Sequence, residues 1–289
     1  MYSFEDYSFL EGFLDEKKNC IVCDSSQLEF YARKGFLTAL KCKQCGMISV
    51  NPYLTEEGAN LFYKKYFSMR KTSDPMKKFR SQQYEYDRDF MLNQIDSGSI
   101  LDIGSSGGYF LSNFDSQWEK YGIDLTEDCA MEANDKFGIK VFVGDVTKYD
   151  FKMKFDVISM RGVIEHFIDP RLVIKRLPSL LKPGGYFFIS ATPTGNNLAF
   201  EIFREKWRLF TPLEHVHFFC SHHISTMLGQ SFELVSLDYP YIETPYSRYD
   251  EDIISISKAM NQKANGVPID VPSLSFPGAM MNAMWKYVP

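Results

Sequence analysis

The sequence of 289 residues contains no uninterrupted run of about 18 apolar residues, so no membrane-spanning helix is predicted. It also has no excess of basic residues: 32 Lys and Arg against 37 Asp and Glu give a net charge of −5, which argues against nucleic acid as a partner. The first residues lack a basic start followed by an apolar stretch, so no secretory signal is predicted and a cytoplasmic location is expected. The hydrophobic content of 45% is sufficient for a sizeable core.

The six cysteines are unevenly distributed along the chain. Four of them form two CxxC pairs, Cys20/Cys23 and Cys42/Cys45, with 18 residues between the pairs. This spacing is typical of zinc sites, in which two tight turns direct four sulfurs at one ion; two unrelated CxxC turns are the alternative. Because four thiolates complete a tetrahedral shell and leave no position for water, the sequence predicts a structural Zn²⁺ rather than a catalytic one.

The patterning divides the chain into three parts. Residues 1–53 are predicted to form the zinc-binding module, 54–95 a helical connector, and 96–289 an α/β domain with an insertion at about 240–276. Strand-like and helical patterns alternate from residue 99 onward, which predicts a parallel sheet covered on both faces. Strands are predicted at 99–103, 120–125, 139–143, 155–160, 186–191, 233–239 and 280–287, and helices beginning at 109 and spanning 127–137, 170–181, 221–230 and 252–261.

Acidic residues end the first three strands of the α/β part. Asp102 ends the first strand and is followed by a turn of glycine and serine, an arrangement that places a ligand against the backbone at the carboxyl edge of a sheet. The Gly-x-x-Gly-Gly spacing of this turn does not match the dinucleotide fingerprint. Asp124 ends the second strand, where a carboxylate can accept both hydroxyls of a ribose, and Asp145 follows the third.

These motifs resemble those of the class I S-adenosylmethionine-dependent methyltransferases, over about residues 80 to 240. The resemblance implies a Rossmann-like sheet of about seven strands with the last one antiparallel, and S-adenosyl-L-methionine as cofactor. It also implies the roles of single residues: Asp102 and Gly104 along the methionine part, Asp124 at the ribose, Leu125 at the adenine face, and Asp145 with Val146 at the adenine edge. Ser105, Gly108 and Arg161 complete the implied cofactor site, Arg161 through its backbone. The matching stretches are Asp102-Ile103-Gly104-Ser105-Ser106-Gly107-Gly108, Gly122-Ile123-Asp124, Gly144-Asp145-Val146 and Leu181-Lys182-Pro183-Gly184-Gly185.

Two further segments carry candidate catalytic residues. The stretch from 160 to 166 is similar to the "xxVLEH" segment of small-molecule methyltransferases of the ubiquinone O-methyltransferase type, and His166 is a candidate for the substrate cleft or for capping the next segment. The stretch from 213 to 219 resembles the "EHxxYFS" segment of sugar methyltransferases with an N-terminal four-cysteine zinc domain, notably C-methyltransferases of nucleotide-activated sugars. That resemblance implies His215 as the base, with Glu214 to orient or charge it. His217 is the rival base, because on a strand it would share a face with His215.

The resemblance therefore implies a methyltransferase that acts on a small molecule, with a sugar as the expected acceptor, either nucleotide-linked or in a polysaccharide precursor. The chain is shorter than the nucleotide-sugar C-methyltransferases, which favours a hydroxyl over a carbon acceptor. Trp207 with its neighbouring arginines is a candidate for holding the sugar, or else a part of an amphipathic helix. One alternative is an RNA methyltransferase whose zinc module grips RNA; another is a non-enzymatic binding protein that keeps a cofactor fold. The basic residues that would grip RNA are Arg33, Lys34, Lys41 and Lys43.

Overall fold

The computed structural model describes residues 4–69, 74–241, 244, 247–273 and 277–289, with backbone only for 66–69 and 74–79. None of the helices in these ranges is long and apolar enough to cross a membrane. The strands are β1 (Leu14–Asp15), β2 (Leu28–Lys34), β3 (Leu37–Cys42), β4 (Ile48–Val50), β5 (Tyr53–Leu54), β6 (Gly98–Ile103), β7 (Trp118–Asp124), β8 (Lys140–Val143), β9 (Phe155–Arg161), β10 (Leu181–Pro193), β11 (His217–Phe218), β12 (Phe232–Asp238) and β13 (Met280–Tyr287). The α-helices are α1 (Glu56–Met69), α2 (Asp74–Leu92), α3 (Glu127–Phe137), α4 (Arg171–Ile174), α5 (Leu177–Leu180), α6 (Leu198–Phe203), α7 (Ser221–Leu228) and α8 (Tyr249–Ala264).

A seven-stranded sheet forms the centre of the molecule, in the order β12-β13-β10-β9-β6-β7-β8. The pairs from β10 through β9, β6 and β7 to β8 are parallel, whereas β13 is antiparallel to both of its neighbours. The prediction of an α/β fold with about seven strands and an antiparallel last strand is confirmed. Because the carboxyl ends of parallel strands meet at one edge, the loops after β6, β7, β8 and β9 come together there.

A smaller sheet in the order β11-β4-β3-β2 forms most of the N-terminal part. Its fourth strand, β11, comes from a distant part of the chain and pairs antiparallel with β4. The cysteine pairs lie at one end of this sheet, where buried Cys20 and Cys42 join the same apolar core as Leu101 on β6. The N-terminal part is therefore packed into the rest of the molecule through a shared sheet and a shared core.

The helix predicted to begin at residue 109 is only a short 3-10 turn, Leu111–Asn113. The side chain of Asn113 donates from Nδ2 to the carbonyl of Tyr109 at 2.7 Å and to that of Phe110 at 3.2 Å. These carbonyls would accept from the backbone in a continuing helix, so the side chain competes with helix propagation and ends the turn.

The single helix predicted over 170–181 is divided into α4 and α5. Pro178, in the first turn of α5, has no N–H to donate to the preceding turn. The helical hydrogen-bond ladder is therefore interrupted between α4 and α5, although the pattern of apolar residues continues.

The connector between the two sheets consists of α1 and α2. The helix α1 begins as predicted after Thr55, whose Oγ1 accepts a hydrogen bond of 3.2 Å from the backbone N–H of Gly58. In α2, Gln83 and Asp87 are buried polar residues, one helical turn apart. Since α2 packs against β10 and β13, these side chains reach the main sheet near its carboxyl edge.

An aromatic core lies between the two sheets. Trp207 is fully buried and stacks on Phe200 with ring centroids 4.4 Å apart, and Phe210 and Phe218 complete the group. Arg208, which directly follows Trp207 in the chain, is exposed. The hypothesis that Trp207 holds a sugar ring is therefore wrong, because no part of its indole ring reaches solvent.

Candidate functional site

The three predicted acids lie in a row at the carboxyl edge of the main sheet. Asp102 on β6 faces Gly122 in the ladder with β7, and Asp124 at the end of β7 faces Val143 on β8. Asp145 follows β8 by two residues. Since neighbouring strands are about 4.8 Å apart, the structure brings these carboxyl groups to one continuous edge.

In the turn after β6, the backbone conformation and the packing against neighbouring residues require glycines. Gly104 has φ = +71°, and a Cβ there would approach the side chain of Val163 to 2.7 Å. Gly108 has φ = +74°, and its Cβ would lie 3.1 Å from that of Ala133 in α3. Both positions thus need glycine for the backbone conformation and for close packing, whether or not a ligand is bound.

The serines of this turn have different surroundings. Ser105 is buried, and its Oγ faces Gly122, whose added Cβ would lie only 2.2 Å away. Ser105 therefore packs against the sheet, and its buried hydroxyl has no hydrogen-bond partner among the described residues. Ser106 has φ = +48° and donates its backbone N–H to Asp124 Oδ2 at 2.9 Å, which ties the turn to the next strand.

Asp102 is buried beneath the turn and accepts a hydrogen bond of 2.7 Å from Ser159 Oγ on β9. Burial raises the pKa of Asp102 to about 7; the Ser159 hydrogen bond and the charge of Arg161 oppose this shift, and the charge of Asp124 adds to it. Asp102 is thus a carboxyl group that changes its charge near neutral pH.

Asp124 and Leu125 are the accessible members of the predicted adenosine site. The carboxylate of Asp124 is half-buried, with Ser106 as its hydrogen-bond donor. The side chain of Leu125 is 73% exposed, which is unusual for a leucine at the end of a buried strand. An exposed apolar side chain beside an accessible carboxylate suits a ligand with a flat base and a hydroxylated sugar.

Asp145 is held in one orientation by the residue two positions later. The backbone N–H and the hydroxyl of Thr147 both donate to Asp145 Oδ1, each at 2.8 Å. Burial alone would raise the pKa of Asp145, but the hydrogen bonds from Thr147 and the charge of Lys148 outweigh it and lower the pKa. Val146 is buried, and its carbonyl accepts a hydrogen bond of 2.6 Å from Arg176 Nη1.

Arg161 ends β9 and meets a group of residues that sequence reasoning missed. Its Nε donates to Asp87 Oδ2 at 2.8 Å, and its guanidinium carbon lies 4.3 Å from the centre of the Tyr84 ring. Asp87 also accepts from Gln83 Nε2 at 2.9 Å and from Asn282 Nδ2 at 2.7 Å. No local pattern could have indicated this network, because 74 positions separate Asp87 from Arg161.

His166 and His215 lie together, with ring centroids 5.1 Å apart. The Nδ1–H of His166 donates to the carbonyl of Glu214 at 2.7 Å, and the hydroxyl of Tyr63 lies 3.2 Å from the same nitrogen. The Nδ1–H of His215 donates to the carbonyl of Leu209 at 3.0 Å, so the lone pair of the His215 ring is on Nε2. The structure thus brings these two predicted residues into one cluster, to which Tyr63 of α1 is an addition.

Burial, together with the neighbouring His166, lowers the pKa of His215 to about 3. A histidine that titrates near neutrality would suit a base, but this shift places the pKa of His215 far below that range. His215 is therefore neutral at pH 7, and a neutral imidazole is the form that can accept a proton.

Glu165 completes the cluster and was not predicted. It is buried, and Thr192 Oγ1 donates to its carboxyl group at 3.3 Å. Burial raises its pKa to about 8, against the effect of Thr192 and the charge of Arg161. The candidate proton-accepting atoms of Glu165, His166 and His215 all lie within 4.8 Å of one another. A buried acid beside two imidazoles is an arrangement that can store and move a proton.

The predicted sharing of a face by His215 and His217 is wrong, because β11 begins only at residue 217. His217 is buried; its Nε2–H donates to the carbonyl of Ile168 at 3.3 Å, and its Nδ1 accepts from Ser49 Oγ at 3.0 Å. Burial lowers its pKa to about 3. With both ring nitrogens bonded, His217 joins β4 to the loop that precedes α4 and is poorly suited to act as a base.

Glu214 meets the histidines through its backbone. Its carbonyl accepts the hydrogen bond from His166, as described above, while the charge of its carboxylate acts on Tyr7 in the N-terminal segment, where it contributes to a raised pKa. The expected role of the Glu214 side chain in orienting His215 stays a prediction.

The four cysteines of the CxxC pairs form one cluster, with all four sulfurs within 4.8 Å of one another. The sulfurs of Cys20 and Cys45 are 3.5 Å apart, as are those of Cys23 and Cys42. Four sulfurs at about 2.3 Å from one tetrahedral ion would be about 3.8 Å apart, so the cluster is close to the required size. None of the four is in a disulfide.

The two CxxC turns have the same construction. Each is closed by a hydrogen bond to the carbonyl of its first cysteine, from Asp24 at 3.0 Å and from Gly46 at 2.9 Å, and both donors have positive φ. Backbone N–H groups also point at the sulfurs of Cys20 and Cys42. Such N–H donors stabilise thiolates, which are the form that binds a metal.

His223, in the first turn of α7, is buried. Its Nδ1 accepts the backbone N–H of Cys220 at 3.0 Å, and its Nε2–H donates to the carbonyl of Cys45 at 2.9 Å. The helix α7 is thereby attached to the second CxxC turn.

Comparison with known proteins gives a family match for more than half of the chain. The sequence model of the family described as "Methyltransferase domain" matches residues 76–237. The chain is 26% identical over 157 residues to malonyl-[acyl-carrier protein] O-methyltransferase 2 of Ilyobacter polytropus. The matched region covers 51% of this chain and 60% of the relative. The chain is 30% identical over 110 residues to ubiquinone biosynthesis O-methyltransferase of Actinobacillus pleuropneumoniae, which covers 34% of this chain and 47% of the relative. The chain thus spans about half of the length of these curated relatives.

Solved structures share the fold at lower identity. A protein from Pyrococcus horikoshii OT3 has a TM-score of 0.51 at 16% identity, covering 77% of this chain and 98% of its own. A candidate methyltransferase from Bacillus halodurans C-125 has a TM-score of 0.50 at 18% identity, covering 70% of this chain and 99% of its own.

Proposed function

Because this chain belongs to the S-adenosylmethionine-dependent methyltransferase family, we propose that it transfers a methyl group from S-adenosylmethionine to a small-molecule acceptor. The observation that supports this most directly is the row of carboxyl groups of Asp102, Asp124 and Asp145 at the ends of three adjacent parallel strands. When bound, S-adenosylmethionine supplies an electrophilic methyl group on a positively charged sulfur.

The donor set at this edge fits the cofactor. Asp124 is an accessible carboxylate for the two ribose hydroxyls, and Leu125 offers an exposed apolar surface to the adenine ring. Asp145 is fixed by Thr147 for the polar edge of the base. Buried acidic groups at the methionine end, Asp102 among them, favour a ligand that carries positive charge.

The acceptor is proposed to lose its proton to the cluster of Glu165, His166 and His215. His215 is the proposed base: its Nδ1–H is fixed on the carbonyl of Leu209, so Nε2 is the atom that accepts the proton. Burial lowers the pKa of His215 to about 3, so its ring is neutral at pH 7 and can accept a proton at Nε2. Positioning of the nucleophile in line with the methyl group is the other main contribution of the protein.

We propose a sugar hydroxyl as the acceptor, in a nucleotide-linked sugar or a polysaccharide precursor. Both curated relatives named above are O-methyltransferases, which favours an oxygen nucleophile. The choice of a sugar rests on the similarity of the 213–219 segment and the four-cysteine module to sugar methyltransferases.

The experiment is incubation with radiolabelled S-adenosylmethionine and a panel of nucleotide sugars, glycans, acyl-carrier-linked acids and phenols. Turnover is expected with a sugar, and His215→Ala is expected to lower it at least 100-fold while binding of S-adenosylhomocysteine is retained. His217→Asn separates the two histidines, because it is expected to lower stability more than kcat. Unchanged turnover in His215→Ala would remove this residue from the mechanism, and absence of cofactor binding in the wild type would contradict the function.

We further propose that residues 1–53 are a module that binds one structural Zn²⁺ through Cys20, Cys23, Cys42 and Cys45, that 54–95 connect it, and that 96–289 form the methyltransferase domain. The sulfur separations of 3.5 Å and the matching turns support four thiolate ligands with no position for water. Metal analysis should give one zinc per chain, and Cys45→Ser should lose it. Cys129→Ser is the matched control, since this cysteine lies outside the cluster, on α3.

A further inference from the structure

Arg161 stands where the methionine part of the cofactor is proposed to lie. It ends β9, next to β6 with its Asp102, and its positive charge acts on the buried carboxyl groups of both Asp102 and Glu165. Its side chain is 16% exposed, whereas that of its partner Asp87 is 0% exposed. The guanidinium is therefore the part of this ion pair that a ligand can reach.

Asp87 is fixed on three sides. Its Oδ1 accepts from Gln83 on the same helix and from Asn282 on β13, at 2.9 and 2.7 Å, and its Oδ2 accepts from Arg161 at 2.8 Å. Asn282 is fixed in turn, because its Oδ1 accepts the backbone N–H of Ala191 at 3.1 Å. A buried carboxylate with this many hydrogen bonds cannot change its orientation without leaving donors unsatisfied.

The guanidinium is held from two directions by α2. Asp87 fixes it through Nε, and Tyr84 lies against it at 4.3 Å from guanidinium carbon to ring centre. Among the described residues, the hydrogen bond of the Arg161 guanidinium is the one from Nε to Asp87. The two terminal NH₂ groups of Arg161 therefore remain for a ligand. A guanidinium oriented in this way presents paired N–H groups that match a carboxylate.

Resting on the proposed function, we propose that the Arg161 side chain binds the carboxylate of the amino-acid part of the cofactor, and that Asp87 is a positioning residue that orients it. The carboxylate of that part is the one anionic group on a ligand that is otherwise neutral or cationic. Placed among Asp102 and Glu165 without a cation, it would be repelled once either acid is ionised. The sequence resemblance implied only a backbone contact for Arg161; the structure assigns the contact to its side chain, supported from α2.

The test compares two ligands that differ in this group. S-adenosylhomocysteine carries the amino-acid part, whereas 5′-methylthioadenosine has the same nucleoside and sulfur but no carboxylate. Dissociation constants are measured by calorimetry on the full chain. The Arg161→Gln and Asp87→Asn variants are each expected to bind S-adenosylhomocysteine at least tenfold more weakly than the wild type. The dissociation constant of 5′-methylthioadenosine is expected to change less than twofold. The double variant is expected to be no weaker than Arg161→Gln alone, because Asp87 acts through Arg161.

Asp89→Asn is the matched control, since Asp89 lies on the same helix with its side chain 62% exposed; it should bind both ligands as the wild type does. Should Asp87→Asn fail to fold, Tyr84→Leu removes the aromatic ring and leaves the buried carboxylate in place. This variant is expected to lose less affinity, and only for S-adenosylhomocysteine. Equal losses for both ligands would make the network purely structural and overturn the proposal, as would unchanged S-adenosylhomocysteine affinity in Arg161→Gln. Binding of neither ligand to the wild type would instead contradict the proposed function on which this inference rests.

Discussion

Asp102 and Asp124 end neighbouring strands but have opposite surroundings. Asp102 is buried against Ser159, and its pKa is raised to about 7, whereas Asp124 is half-buried and receives a backbone N–H from Ser106. The same residue type near the carboxyl ends of adjacent strands thus gives one group that can hold a proton and one that can accept hydrogen bonds from a ligand. Asp102 lies within the ladder opposite Gly122, whereas Asp124 lies two residues further toward the carboxyl edge of the sheet.

Asp124→Asn is expected to weaken S-adenosylhomocysteine binding by roughly 10- to 100-fold, because a hydrogen bond to a charged group contributes about 1.5–3 kcal/mol. Calorimetry measures the dissociation constant. Asp135→Asn, on the exposed side of α3, is the control and should bind normally. Equal affinity in both variants would show that Asp124 does not contact the cofactor.

Glu165 makes the stability of the protein depend on pH. Its pKa is raised by burial to about 8 in the folded protein, from an ordinary value of 4.5 in the unfolded chain. Between these values the folded state keeps a proton that the unfolded state has released, so the contribution to stability is complete below pH 4.5 and lost as pH rises through about 8. The free energy of unfolding of the wild type should therefore fall, relative to that of Glu165→Gln, by at most about 1.4 kcal/mol per pH unit in this window.

Urea unfolding at pH 5, 6.5 and 8 measures this difference. Glu233→Gln, at an exposed position of β12, is the control: its free energy of unfolding should change with pH in the same way as that of the wild type. If the free energies of unfolding of the wild type and Glu165→Gln also change with pH in the same way, the carboxyl group of Glu165 is ionised in the folded protein at neutral pH.

At the scale of elements, the short pairing of β4 with β11 connects the N-terminal module to the segment that carries His215. The N–H of Val50 donates to the carbonyl of Val216 at 2.8 Å, and the next residue, His217, is bonded to Ser49 on β4. The turn with His215 immediately precedes this pairing. The position of the proposed base therefore depends on a strand of the cysteine-containing module.

Ser49→Ala is expected to lower the free energy of unfolding by about 1–3 kcal/mol, because it leaves Nδ1 of the buried His217 without a partner. It is also expected to lower kcat more than the affinity for S-adenosylhomocysteine, since the cofactor site is at the other sheet. Urea unfolding and calorimetry give the two quantities, with Ser26→Ala at an exposed position as control. A kcat equal to that of the wild type would mean that β11 does not position His215.

Considered as a whole molecule, the protein carries a net charge of −5, which does not favour binding to a nucleic acid. Three basic residues of the N-terminal module are engaged with other groups of the protein. Lys34 is half-buried and donates to the carbonyl of Phe210 at 2.8 Å, Lys43 pairs with Glu29 at 3.6 Å, and Arg33 donates to the carbonyl of Gly35 at 3.3 Å. The alternative of an RNA methyltransferase thus gains no support from the module.

Gel shifts with bulk RNA at 50 and 200 mM salt test this point. We expect weak binding at both concentrations, because few phosphates can be neutralised. Tight binding at 50 mM that falls by about 10³- to 10⁵-fold at 200 mM would indicate six to ten phosphate contacts and would favour the RNA alternative.

The sequence alone determined the alternation of strands and helices, the row of strand-end acids and the two cysteine pairs. Each of these depends on spacing within a short segment: period 2 or 3.6, an acid after an apolar run, two residues between thiolates. The same reasoning placed α3 at 127–137, as observed. It failed for the helix after residue 109, where the Asn113 side chain takes the carbonyls that a helix needs.

The tertiary structure decided which of several equivalent side chains are buried, paired or accessible. His215 and His217 are two residues apart, yet one lies beside His166 while the other bonds Ser49 and Ile168. Asp87 contacts Arg161 only because α2 packs across the main sheet. Burial, hydrogen-bond partners and the resulting pKa values arise from contacts between residues far apart in the chain, and no local spacing encodes them.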